Sequence, residues 1–185
     1  MKPWLRIATA VDRLNEWIGH ATGWLLLAMV LVGAYNTIVR YLGRYLGVNL
    51  SSNAYLELQQ YLFSLVFLLG AAYALRRGAH VRVDVLYGRL GERARAWIDL
   101  LGSLFLLLPF CLLTLWMSWP AVRNSWAVRE VSPDPGGLAR YPIKTVILIA
   151  FALLVLQGLA EAIRCLAFLR GATEAADRDP SRGGL

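Results

Sequence analysis

Residues 17–39 read WIGHATGWLLLAMVLVGAYNTIV, twenty-three positions without a charged side chain. At about 1.5 Å of rise per residue a helix of this length reaches roughly 35 Å, enough to cross a hydrocarbon core of about 30 Å with some tilt. Residues 100–122, LLGSLFLLLPFCLLTLWMSWPAV, form a second uncharged run of the same length. Two further apolar runs flank it in the chain. Residues 54–75 carry one acid, Glu57, near their start, and residues 145–165 carry Glu161 and Arg164 near their end. Charges that close to a membrane face are tolerated. The intervening segments of 14, 24 and 22 residues are too short for another folded domain. The pattern predicts an all-α integral membrane protein, with four transmembrane helices in a single membrane domain over residues 1–170.

Composition points the same way. Of 185 residues, 58% are hydrophobic and only 17% charged, well beyond the apolar share of soluble domains. This excludes a water-soluble globule, a disordered chain and a disulfide-rich secreted scaffold. Thirteen Lys and Arg fall on the side of the spans that holds both termini and the middle loop, against six on the other side. By the positive-inside rule both termini are expected in the cytoplasm. The formal net charge of +7 then reflects topogenic arginines facing an anionic leaflet. No nucleic-acid partner is expected, because the basic residues are scattered around spans and form no recognised binding motif. Tyr41, Tyr45, Tyr55, Trp116, Trp119, Trp126 and Tyr141 fall at one expected interface, and Trp4, Trp17, Tyr73, Tyr87 and Trp97 at the other, as aromatic belts do.

Asp12, Arg13 and Glu16 interrupt any early apolar core, and the run that follows is too long for a cleavable signal, so the N-terminus reads as a retained anchor. Trp4, Ile7, Ala8, Val11, Leu14 and Ile18 recur at helical spacing, which predicts a short amphipathic interfacial helix before the first span. Residues 171–185 are polar and small and are expected to form a disordered cytoplasmic tail.

The chain lacks the usual marks of chemistry. Cys111 and Cys165 are expected at depths about 15 Å apart, too far for a disulfide. The histidines, His20 and His80, fall at the membrane edge and in a loop, where they make poor axial ligands for a membrane haem. No phosphate loop, nucleophile elbow or zinc motif occurs, so neither catalytic residues nor a bound metal or cofactor is expected. What remains is packing and intramembrane polarity. Gly19 and Gly23, Gly70 and Ala74, and Gly158 and Ala162 offer close helix approach. Pro109 predicts a kink that frees a carbonyl one turn earlier. Glu57 is a candidate proton or cation carrier, or the structural partner of another group. Transport sites need convergent polar groups near the midplane, and here polar residues cluster at the edges. That favours an accessory subunit over a self-sufficient four-helix proton-coupled carrier using Glu57. A membrane anchor of a redox complex is the third reading.

The stretch ELQQYLFSLVFLLGAAYALRRGAHVRVDVLYGRL, residues 57–90, resembles the small permease subunit (DctQ-like) of tripartite ATP-independent periplasmic (TRAP) transporters. The matching features are a membrane Glu57, the Gly70-Ala71 helix end, Arg76, and a run with His80, Val81, Val83 and Asp84. The likeness continues through Trp97, Asp99, Leu100 and Pro109. It extends into the outer loop at Ser125, Glu130, Ser132, Gly137, Leu138, Pro142 and Lys144. The variant GGLARYPIK, residues 136–144, is similar to the branch labelled mannitol or chloroaromatic transport. The resemblance implies a non-catalytic scaffold in the bacterial inner membrane. Its implied partners are a large permease subunit carrying the substrate and sodium sites, and a periplasmic binding protein that delivers a solute, usually an organic acid.

Two clusters follow as expectations. Arg76, His80, Arg82 and Asp84 either fix the middle loop against the large subunit or serve only as topogenic charge. Arg123, Glu130, Arg140 and Lys144 surround the turn-forming SPDPGGL, and either help to receive the binding protein or merely flank a connection.

Overall fold

The computed structural model describes residues 2–47, 52–78 and 90–171. The expected tail beyond Gly171 lies outside them, as do His80, Arg82 and Asp84. The elements are α1 (Lys2–Leu46), α2 (Asn53–Arg76), α3 (Glu92–Leu101), a π-helical stretch (Gly102–Leu107), α4 (Leu108–Ala127) and α5 (Arg140–Leu169). Four rods are long and apolar enough to cross a membrane, because α3, the π stretch and α4 form one.

The separate N-terminal surface helix is corrected. α1 runs unbroken through 45 residues, about 67 Å, since no proline interrupts residues 4–46 and i→i+4 bonding carries through Gly19 and Gly23. The amphipathic segment is the first turns of that one helix. α2 has 24 residues, about 36 Å, close to the bilayer thickness. Ser52 caps it by accepting from the Ala54 N–H at 3.3 Å, and Gly78, with φ of 63°, ends the turn that follows it.

Pro109 has no N–H and its ring would press on the carbonyl four residues back. The backbone answers with a wide turn, in which the Leu108 N–H bonds to Ser103 O. The displaced hydrogen bonding is thus absorbed as i→i+5 pairs, the usual form of a π-bulge.

α5 sits at the centre, with α1, α2, α3 and α4 packed around it. One third of its most apolar window is buried, against 6–17% in the other rods. The core is small and unusually polar. Among the described residues eleven buried side chains are hydrophobic and nine are polar or charged. Large apolar residues such as Trp24, Leu31, Phe67, Phe105 and Trp116 are exposed instead. Lipid solvates apolar surface, so nothing drives it inward, and close contact falls to small and polar residues.

Candidate functional site

At the end that holds both termini, a polar lock joins three helices. Ala8, Asp12, Asn15, Gly19 and Thr22 recur every three or four residues along α1, which puts them on one face. Gln157 of α5 is fully buried and opposes that face. Asn15 Nδ2 donates to Gln157 Oε1 at 2.6 Å, and Gln157 Nε2 donates to Asp12 Oδ1 at 3.0 Å. Asp12 also pairs with Arg164 of α5 and, at 3.8 Å, with Arg76 of α2. Arg76 Nη1 donates to the Asp12 carbonyl at 3.1 Å and reaches Glu16 at 2.6 Å. Arg77 meets Glu16 at 2.9 Å and lies over the Tyr73 ring, 5.4 Å from its centroid. That ring covers Gly19, where any Cβ would run into it. Its edge meets His20, whose Nδ1 lies 2.7 Å from the Glu16 carbonyl.

Glu161 extends the lock by pairing with Arg164 at 3.0 Å. Asp99, Glu161 and Cys165 bring their ligand atoms within 4.8 Å of one another. Glu161 is committed to Arg164, and the Cys165 thiol points at Glu161 Oε1, 3.8 Å away. Glu161 and Cys165 therefore extend the lock along α5. Cys111 and Cys165 are both buried and take part in no disulfide.

At the opposite end a clasp closes the loop between α4 and α5. Glu57, buried at the second turn of α2, accepts from the Ser132 hydroxyl and from the Leu138 N–H at 2.5 Å. Both carboxylate oxygens are thereby occupied. Arg140 Nη2 donates to Ser132 Oγ at 3.3 Å. Within the loop, Val131 and Ala139 form an antiparallel bridge. The Ser132 N–H donates to Leu138 O at 3.0 Å, and the Arg140 N–H to Glu130 O at 2.8 Å. Arg129 adopts φ of 47°, where the chain leaves α4, and Gly136 adopts φ of 73° within SPDPGGL. Glu130 pairs with Lys144 and accepts from the Ser125 hydroxyl at 2.7 Å. Lys144 first, then Ser125, hold its carboxyl below the usual carboxylate range against the opposing effect of burial.

The predicted residues therefore divide. Glu57, Glu130, Arg140 and Lys144 meet in the clasp, while Arg123 is exposed and makes no ion pair there. Arg76 belongs to the lock and turns to Asp12 and Glu16; the proposed companions His80, Arg82 and Asp84 lie outside the described residues. Gly158 sits against α4 and the π stretch, where an added Cβ would come 2.9 Å from Leu107 Cδ2. Gly23 and Gly70 face open space within this chain, so they make no close helix contact inside it. Ala72, rather than Ala74, is the buried alanine of α2, and Ala160 and Gly158, rather than Ala162, are the fully buried small residues on that part of α5. Gly33, not foreseen, packs under Gln59, 2.9 Å from Nε2 to an added Cβ. Asp12, Asn15 and Gln157, not foreseen either, are buried polar residues. The signal was the polar and small stripe on α1, which a search for apolar faces passes over.

The family model described as "Tripartite ATP-independent periplasmic transporters, DctQ component" matches residues 29–168. No curated protein and no solved structure matches the chain. The chain belongs to the DctQ component family: it is a multi-pass inner-membrane small subunit of a TRAP transporter, and not an enzyme.

Proposed function

We propose that this subunit is a static brace for a large permease subunit, which carries sodium and an organic acid or related solute handed over by a periplasmic binding protein. The observation that supports this most directly is the use made of its buried and half-buried charges. Asp12, Glu16, Arg76 and Arg164 are consumed in holding helices together, and Glu57 in holding a loop. A carrier needs groups that alternate between partners, and transport sites need polar groups converging near the midplane. Here the charged groups sit at the two ends and are engaged there. On this reading sodium binds the large subunit, and this chain holds no cofactor of its own. The positive-inside count supports a cytoplasmic position for both termini, with the Glu57 clasp facing the periplasm. The GGLARYPIK loop supports placing the chain in the mannitol or chloroaromatic branch.

Reconstitution into liposomes tests the proposal. The chain alone is expected to move no solute, and uptake is expected only with the large subunit, the binding protein and a sodium gradient together. Solute movement by the chain alone would overturn the brace. Thiol labelling of single cysteines at positions 170 and 134 tests the orientation, with the first expected to be shielded from impermeant reagent in intact cells.

A further inference from the structure

α1 and α2 run antiparallel, and two contacts fix their register: Tyr73 covers Gly19, and Gln59 lies against Gly33. Counting equally inward from these contacts puts Gly23 level with residues 69 and 70. A Cβ added at Gly23 or at Gly70 would meet nothing within 4 Å, so at this depth the seam between the helices is hollow. Gly23, Leu27 and Val30 on α1, and Gln60, Phe63, Phe67 and Gly70 on α2, recur every three or four residues and so share a face on each helix. Leu27, Val30, Phe63 and Phe67 are exposed, because α5, which packs on both helices, covers the other side of the pair. One polar group stands on the open side. Gln60 is exposed, and its carboxamide makes no hydrogen bond among the described residues. With 24 residues, α2 exceeds a hydrocarbon core of about 30 Å by roughly 3 Å at each end, which leaves Gln60 about 7 Å inside the core.

We infer that the open side of the α1 and α2 seam is the docking surface for one transmembrane helix of the large permease subunit. That helix sits over Gly23 and Gly70 and offers a hydrogen-bonding side chain at the level of Gln60. The inference rests on the brace proposed above and adds the face by which the brace engages. Polar complementarity selects the occupant. Acyl chains present neither donor nor acceptor, so a bare carboxamide at this depth is costly, and a protein helix can satisfy it. This chain meets the same demand internally, where Asn15 and Gln157 pair across two helices at 2.6 Å. The hollow supplies the second requirement, since glycines let backbones approach closely where lipid removes the hydrophobic drive to associate. The outward face of α4 lacks both marks. Leu106, Phe110, Leu113 and Met117 are large, apolar and exposed there, a surface that lipid itself solvates.

Photocrosslinking in membranes that hold the assembled transporter tests the face, with benzoylphenylalanine in place of Leu27, Phe63 or Phe67 and, for contrast, of Leu113 or Met117. Crosslinks to the large subunit are expected from the first three positions and not from the last two. Crosslinks from α4 alone, from neither face, or from α2 to a second copy of this chain would overturn the docking surface. Co-purification of the unaltered chain with the large subunit reads the brace separately: if it holds while the crosslinks fail, only the face is lost, and if it fails, both readings are. Gln60→Leu and Gly70→Leu are each expected to lower the amount of large subunit retained in mild detergent by about tenfold, the scale of one interhelical hydrogen bond or close contact in a membrane. The isolated variants are expected to melt like the unaltered chain, because both positions are open within it. Unchanged retention by either variant would overturn the site.

Discussion

Asp12 and Glu57 are both acids buried in membrane helices, yet Asp12 is satisfied by Arg164, Gln157 and Arg76 from two other helices, whereas Glu57 is satisfied by Ser132 and the Leu138 backbone from one loop. The first arrangement fixes where helices stand relative to one another. The second fixes how a connection leaves the membrane and re-enters it. The difference predicts different failures. Loss of the lock should loosen the whole bundle, and loss of the clasp should loosen one end while the helices stay assembled.

Asp12→Ala should be the most damaging single change, because it removes the acid shared by Arg164 and Arg76, leaving them Glu161 and Glu16 alone, and leaves Gln157 Nε2 without its acceptor. Removing one partner of a buried pair costs about 3–5 kcal/mol. Thermal unfolding in detergent should register this as a global loss, with Asp12→Asn milder. A local effect alone would show that the lock does not govern assembly. Glu57→Ala frees a half-buried hydroxyl and a backbone N–H, at up to about 1–3 kcal/mol for such unsatisfied groups. Amide exchange should rise across residues 131–139 and stay unchanged near Asn15; equal rises at both ends would erase the distinction between lock and clasp. Gly19→Leu drives a side chain into the Tyr73 ring and should cost about 1–3 kcal/mol as overpacking does. Gly70→Ala, with open space around it, should be neutral or gain up to about 1 kcal/mol in helix propensity.

The smallest effect concerns acid. The Glu130 carboxyl lies below its ordinary value of 4.5 when folded, so its support of the clasp is complete above that value. It is lost only as pH falls through the lower folded value. The stability difference between the unaltered chain and Glu130→Gln should persist through mildly acidic pH and vanish only below the usual glutamate range. A difference that vanishes near neutrality would mean that Lys144 is not its partner in solution.

The four spans were legible because an uncharged run of bilayer length has almost no place in a water-soluble fold. The outer loop was half legible. Glu57, Glu130 and Lys144 stand out as charges beside apolar runs, but the groups that meet Glu57, a serine hydroxyl and a main-chain N–H, have no distinctive signature. The lock was not legible from spacing alone, since its partners Asn15 and Gln157 are 142 residues apart. Asp12 and Glu16 also read more simply as breaks in an apolar run. The continuous α1 was missed because an amphipathic start looks the same whether it bends onto the surface or continues straight. In lipid the informative face is the small and polar one, and Asp12, Asn15, Gly19 and Thr22 trace it.

The wide turn ahead of Pro109 also sets the phase of everything after it. Each residue of an α-helix advances about 100° around the axis, and a π-bulge takes up one extra residue without using that rotation. Counted as an uninterrupted helix, Leu108 and Cys111 would lie roughly 60–120° around from Ala96 and away from its side. Subtracting one step brings all three to the same side, where they are buried. Excising a single residue between 102 and 107 would therefore straighten the turn and leave Cys111 facing α5, whereas straightening it at unchanged length would act like turning a key, swinging Cys111 off α5.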